Sequence, residues 1–298
     1  MADRQLTLMA VHAHPDDEAT GTGGLLAKSA AEGIRTVLVT CTDGRCGDLP
    51  GGIKPGQPGH DPEAVVALRK AELEQSCKIL DVSNLELLGY HDSGMMGWDN
   101  NDAPGAFWHT PVDEAAERLA ELMREYEPDV VVTYDPNGFY GHPDHIQAHR
   151  ITMRAVELTG IPKKVYWTTV PREQMAEFGK IAKEFGADWD EPETANGASE
   201  HGGEAEERSE GRDERSREEP QVQIGVPAAE VTTWVDTKAY GAQKFDSLAA
   251  HASQEENIFF LRMGLERFSQ FMSTETFVRV QDHTNSPLPE DDLFAGLR

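Results

Sequence analysis

Two short clusters place histidine beside carboxylate: His14-Pro15-Asp16-Asp17-Glu18, with His12 just before it, and His142-Pro143-Asp144-His145. Imidazole nitrogen and carboxylate oxygen are donors that Zn²⁺ accepts, and three protein ligands leave a coordination position for water. His14, Asp17 and one or both of His142 and His145 supply such a set. A two-histidine, one-carboxylate set suits Fe²⁺ equally. Water on such a cation becomes acidic enough to react near neutral pH. Asp16, beside a ligand but pointing elsewhere, is placed to take the proton. A histidine left over from coordination can protonate a leaving group, and Tyr140, just upstream, can help hold a developing oxyanion. One His-Pro-Asp alone is commonly a capped turn. Two of them, each after an apolar run, point to a metal site. His12 shares a strand face with His14 and is assigned to support or packing.

The clusters need elements to aim them. Each follows a segment that reads as a buried strand, residues 6–13 and 129–134. Proline then stops the strand, and residues three apart in the first turn of a helix point the same way. Further strands are expected at 34–41, 85–88 and 163–169, and helices at 23–31, 62–80, 111–126, 144–158 and about 171–185. Continuous apolar strands alternating with helices predict an α/β fold, a doubly wound and mostly parallel sheet with helices on both faces. Ligands bind such sheets beyond the carboxyl ends of the strands, where both clusters fall.

From 188 to 220 the chain is Glu, Arg, Gly and Ser with hardly an apolar residue, which cannot offset its ordering entropy. The expected organisation is an α/β core at 1–185, an acidic disordered insertion at 186–222, and a last part at 223–298 completing the same domain. That part reads as strands at 231–235 and 276–280 and helices at 237–251 and near 256–271. A formal charge of −26 over 298 residues repels phosphate backbones and anionic lipid, so nucleic acid and membrane are excluded as partners and a small molecule is favoured. With no apolar run long enough to span a membrane and no signal-like start, the expectation is a cytoplasmic protein; homo-oligomers are compatible with this reading. Three cysteines without a CxxC pair read as ordinary thiols.

Ala13-His14-Pro15-Asp16-Asp17-Glu18 together with His142-Pro143-Asp144-His145 resembles the LmbE-like (PIG-L) family of metal-dependent de-N-acetylases. The run from Val132 through Asn137-Gly138-Phe139-Tyr140-Gly141 to His145 is similar to the actinobacterial branch that contains the mycothiol-biosynthesis deacetylase and the mycothiol S-conjugate amidase. Arg69-Lys70-Ala71-Glu72-Leu73, His91-Asp92-Ser93-Gly94-Met95 and the segment from Lys244 to Gln254 agree with it. The resemblance implies a Rossmann-like sheet, Zn²⁺ on His14, Asp17 and His145, Asp16 as general base, and His142 with Tyr140 at the tetrahedral intermediate or the leaving amine. It places Arg69, Asp92 and Asp144 where the family contacts the sugar or orients the ligands, and His251 in a late active-site segment.

The implied reaction hydrolyses an N-acyl amide on an amino sugar, with an N-acetylglucosaminyl conjugate such as N-acetylglucosaminyl-inositol as substrate. A mycothiol S-conjugate amidase or an antibiotic-pathway sugar de-N-acetylase is the alternative within that chemistry. A metal-containing glycoside-binding module is the alternative outside it, and Asp16 with His142 argues against a mere binder. One departure stands out: Arg45, in the loop 42–48, occupies a place where the family pattern has an acidic residue, which bears on substrate more than on chemistry.

Overall fold

The computed structural model describes residues 4–184 and 224–298, so the expected insertion at 186–222 falls wholly outside the described residues. The first half runs β1 (Thr7–His12), α1 (Asp17–Gly21), α2 (Gly23–Ala31), β2 (Arg35–Thr42), α3 (Pro62–Ile79), β3 (Asn84–Tyr90), α4 (Val112–Tyr126) and β4 (Val130–Thr133). Then come α5 (Gly138–Gly141), α6 (Pro143–Thr159), β5 (Lys164–Thr169), α7 (Arg172–Glu184), β6 (Thr233–Asp236), α8 (Gly241–Ala250), α9 (Glu255–Arg262), α10 (Gly264–Met272) and β7 (Thr274–Asp282).

The sheet order is β3-β2-β1-β4-β5-β7-β6. The first five strands are parallel, and β7 runs antiparallel between β5 and β6. β1 shows why the centre reads as a continuous apolar run. Its Met9 and Val11 pack with Leu119, Met123 and Ile151 on one face, while Leu8 and Ala10 pack with Leu25, Leu26 and Leu73 on the other. Side chains alternate across a strand, so a strand covered on both faces is apolar through its centre, with polar Thr7 and His12 only at its two ends. Strand order reverses between β1 and β4, and the crevice at such a switch point is where this class of sheet binds ligands. The two histidine clusters follow these two strands.

Four elements depart from the sequence expectation. The helix read across 256–271 is split, because Gly264 adopts φ 73° and a left-handed residue interrupts the α-helical ladder. The short α1 and α5 are additional to the helices expected from the sequence. The final strand extends to nine residues because β5 and β6 pair with it on opposite sides. No described helix is long and apolar enough to cross a membrane.

Candidate metal centre and active site

The chain leaves β1 at His12 and turns at Pro15 into α1. His14 is buried. Its Nε2 lies 3.2 Å from Asp144 Oδ2 and 3.6 Å from Asp92 Oδ1. A hydrogen on Nε2 satisfies Asp144 and leaves the Nδ1 lone pair facing the crevice, the arrangement by which a carboxylate orients a metal-binding histidine. Burial pushes His14 down, but Asp92, Asp144 and Asp17 outweigh it and hold its pKa well above the ordinary value.

Asp17 opens α1. Its Oδ2 accepts from the His14 backbone N–H at 2.7 Å and from the Tyr134 hydroxyl at 2.7 Å. Burial raises the Asp17 carboxyl, yet His145 and His14 overcome that and keep it well below the usual range. Asp16, between Pro15 and Asp17, has φ 121° and ψ −22°, a backbone that side-chain-bearing residues seldom adopt. Its carboxylate stays one-fifth exposed, with Oδ2 3.1 Å from Arg69 Nη2. Burial raises the Asp16 carboxyl to about 6 against the pull of Arg69, a value suited to moving protons near neutrality.

On the β4 side, Pro143 takes the first position of α6, where its missing N–H costs nothing. His142 caps this helix, its Nδ1 accepting the Asp144 N–H at 3.2 Å, so its hydrogen sits on Nε2. Burial, with His14 and His145 nearby, drives the His142 pKa far down and keeps the ring neutral. One turn on, His145 lies flat against Tyr134, ring centroids 4.2 Å apart at 16°. Tyr140 is 39% exposed and meets His145 edge-on at 5.1 Å.

The donors converge. His145 Nε2 is 3.3 Å from His14 Nδ1 and 3.4 Å from Asp17 Oδ1, and His14 Nδ1 is 3.3 Å from Asp17 Oδ2. Ligands about 2.0–2.1 Å from a tetrahedral zinc stand roughly 3.3 Å from one another, a spacing that the two histidine nitrogens meet directly while each lies at a similar distance from a different oxygen of Asp17, so the group suits a divalent cation. His142 also lies close, its donor atom within 4.8 Å of those of His14 and His145. With Nδ1 committed to the cap, it is left as a hydrogen-bond donor through Nε2.

The residues expected to meet a sugar have different surroundings. Arg69, 4% exposed, donates from Nη1 to Gly44 O at 2.9 Å and from Nη2 to Pro15 O at 2.5 Å, bracing the two loops that flank the crevice. Asp92 accepts from Gly94 N at 2.8 Å and from Cys46 N at 3.2 Å while facing His14. Asp144 is fully buried and also accepts from Ser93 N at 2.8 Å, which makes it an orienter of His14. His251 is fully buried too, with Nε2 2.7 Å from Glu18 Oε1. Arg45 folds back on Asp43 at 2.8 Å and reaches Glu63 at 3.5 Å.

Two contributors escaped the sequence reading. Tyr134 holds Asp17 through its hydroxyl and stacks on His145, but it reads in the sequence as the last residue of a strand. Glu18, fully buried, was seen only as part of the motif; its role depends on partners 58 and 233 residues away, Ser76 and His251. His12 supports Tyr134, with Nδ1 3.3 Å from its hydroxyl and Nε2 2.8 Å from Thr22 Oγ1.

A family profile described as PIG-L, GlcNAc-PI de-N-acetylase, matches residues 9–156. The 1D-myo-inositol 2-acetamido-2-deoxy-alpha-D-glucopyranoside deacetylase of Salinispora arenicola (strain CNS-205) is 39% identical over 312 residues, covering 100% of this chain and 92% of the relative. Among solved structures, the N,N'-diacetylchitobiose deacetylase of Pyrococcus horikoshii superposes with TM-score 0.55 at 18% identity, over 92% of this chain and 83% of that one. The 4-carboxy-2-hydroxymuconate hydratase GalB of Pseudomonas putida KT2440 does so with TM-score 0.56 at 16% identity, over 95% and 100%. A deacetylase and a hydratase on one scaffold mean that the architecture alone does not choose the reaction. Similarity along the whole chain is the stronger observation, and by it this chain belongs to the PIG-L family of de-N-acetylases.

Proposed function

We propose that this chain is the metal-dependent deacetylase of 1D-myo-inositol 2-acetamido-2-deoxy-alpha-D-glucopyranoside, releasing acetate and the free glucosaminyl amine in mycothiol biosynthesis. The observation that carries the chemistry is the His14–Asp17–His145 triangle with the Asp16 carboxyl beside it; the substrate rests on the whole-length relatives of that name. Zn²⁺ is the cation this donor set favours, and Fe²⁺ is accommodated by the same ligands. When bound, the cation supplies Lewis acidity toward water and the amide oxygen.

The side chains divide the remaining work. Asp16 accepts the proton of the attacking water as its oxygen bonds to the carbonyl carbon. The neutral His142 donates a hydrogen bond from Nε2 to the developing oxyanion, with the Tyr140 hydroxyl as a second donor. The protonated Asp16 then returns its proton to the sugar nitrogen as the C–N bond breaks. Asp144 and Asp92 hold His14, and Arg69 steadies Asp16.

The test is amine release by purified protein with Zn²⁺ from the inositol glycoside, a bulky thiol-conjugate amide and free N-acetylglucosamine in parallel. Preference for the glycoside is the expected result. Cleavage of only the thiol conjugate would reassign the substrate, and no metal-dependent release from any of them would remove the hydrolase reading.

A further inference from the structure

The position occupied by Asp16 calls for glycine and carries a carboxylate. At φ 121° and ψ −22° it lies outside even the left-handed basin that Asn and Asp visit, and such a conformation costs about 1–3 kcal/mol unless the surroundings enforce it. The enforcement is visible. The Asp16 N–H points inward and donates to Glu18 Oε2 at 3.0 Å. Glu18 is itself held at the other oxygen, where Oε1 accepts from Ser76 Oγ at 2.5 Å and lies 2.7 Å from His251 Nε2. Glu18, Ser76 and His251 are all fully buried. They come from α1, α3 and the end of α8, three separate elements meeting beneath one peptide.

We infer that Glu18, fixed by Ser76 and His251, is a positioning residue that holds the Asp16 backbone in its strained conformation and so sets where the Asp16 carboxylate stands relative to the metal ligands. The inference rests on Asp16 being the proton-transfer group. A buried carboxylate is costly unless its lone pairs are used, and here Oε2 takes the Asp16 N–H while Oε1 is engaged by Ser76 and His251, both buried away from the crevice. His251 therefore acts two contacts away from the reaction. Were the Asp16 N–H released, the peptide would relax toward an allowed φ and swing the carboxylate away. A misplacement of about 1 Å is enough to cost roughly 10²-fold in rate.

The experiment is a double-mutant cycle on the Zn²⁺-loaded protein. Glu18→Met fills the same space without accepting the Asp16 N–H, and Glu18→Gln keeps an acceptor oxygen. Expected are bound metal and thermal midpoint close to the parent for Glu18→Gln with most turnover retained, and for Glu18→Met a kcat lower by 10-fold or more at little-changed KM. In an Asp16→Ala background, Glu18→Met should cost almost nothing further, because there is no carboxylate left to place. An equal loss in both backgrounds would overturn the inference, as would a Glu18→Met enzyme with parental kcat while Asp16→Ala is inactive. Full activity in Asp16→Ala would instead remove the proton-transfer assignment itself. Should Glu18→Met fail to fold, Ser76→Ala carries the same cycle with a smaller expected loss of several-fold.

Discussion

The tripeptide His-Pro-Asp occurs after β1 and again after β4, and the two copies do opposite things. In the first, α1 starts at the fourth residue, Asp17, so Asp16 lies outside the helix, strained and part-exposed. In the second, α6 starts two residues earlier, at Pro143, so Asp144 is helical, fully buried and turned onto His14. The histidines diverge likewise. His14 keeps Nδ1 for the crevice, whereas His142 spends Nδ1 on the helix cap. Only the fourth residues correspond, Asp17 and His145, each stepping into the donor triangle. Residue type decides what a side chain can do, and the register of the helix start decides which of those things it does.

The largest effects should come where the copies agree. Asp17→Ala and His145→Ala each remove one corner of the triangle, and both should lose bound metal by elemental analysis together with all measurable turnover. Retained stoichiometric metal in either would move the ligand set to His142.

Where the copies differ, the same substitution should separate them. Asp16→Asn should keep its metal and lose about 10²–10⁴ in kcat. Asp144→Asn should instead weaken metal affinity by about 10–100-fold, because it slackens the orientation of His14. Identical phenotypes would mean that helix register does not set the roles. The pH profile sharpens the point. A base must be unprotonated to work, so kcat/KM should rise with pH as Asp16 loses its proton, with an acid limb at about 6 or lower, since a bound cation favours the carboxylate. Asp16→Asn should lack that limb, and a limb that survives the substitution belongs to another group.

Much of this was legible in the chain. The parallel centre followed from apolar runs such as 6–13 and 129–134, because strands covered on both faces keep their central positions apolar on either side. That His14, Asp17 and His145 come together was legible because their spacing and the strands before them constrain where they point. Glu18, Tyr134 and His251 were not legible in their roles. Glu18 and His251 are 233 residues apart and meet only once α8 packs beneath α1, and periodicity carries no information about which buried polar groups will find each other. The break at Gly264 was missed for a local reason: a single glycine inside an amphipathic run is tolerated as often as it terminates a helix.

The second wall has a strained residue of its own, and it supplies the smallest predicted effect. Phe139, just before Tyr140, has φ 63° and ψ −71°. Its N–H donates to Asp135 Oδ1 at 3.1 Å, and the same oxygen takes the Asn137 N–H at 2.8 Å. Unlike Glu18, Asp135 is only part-buried, and water can replace it. Asp135→Ala should therefore lower kcat by roughly threefold to tenfold, less than the about 10²-fold expected for Tyr140→Phe as the loss of an oxyanion donor. Asp135→Asn, which preserves the accepting oxygen, should restore most of it. If Asp135→Ala costs as much as Glu18→Met, the two walls are equally rigid, and the contrast between a buried clamp and a solvated hinge fails.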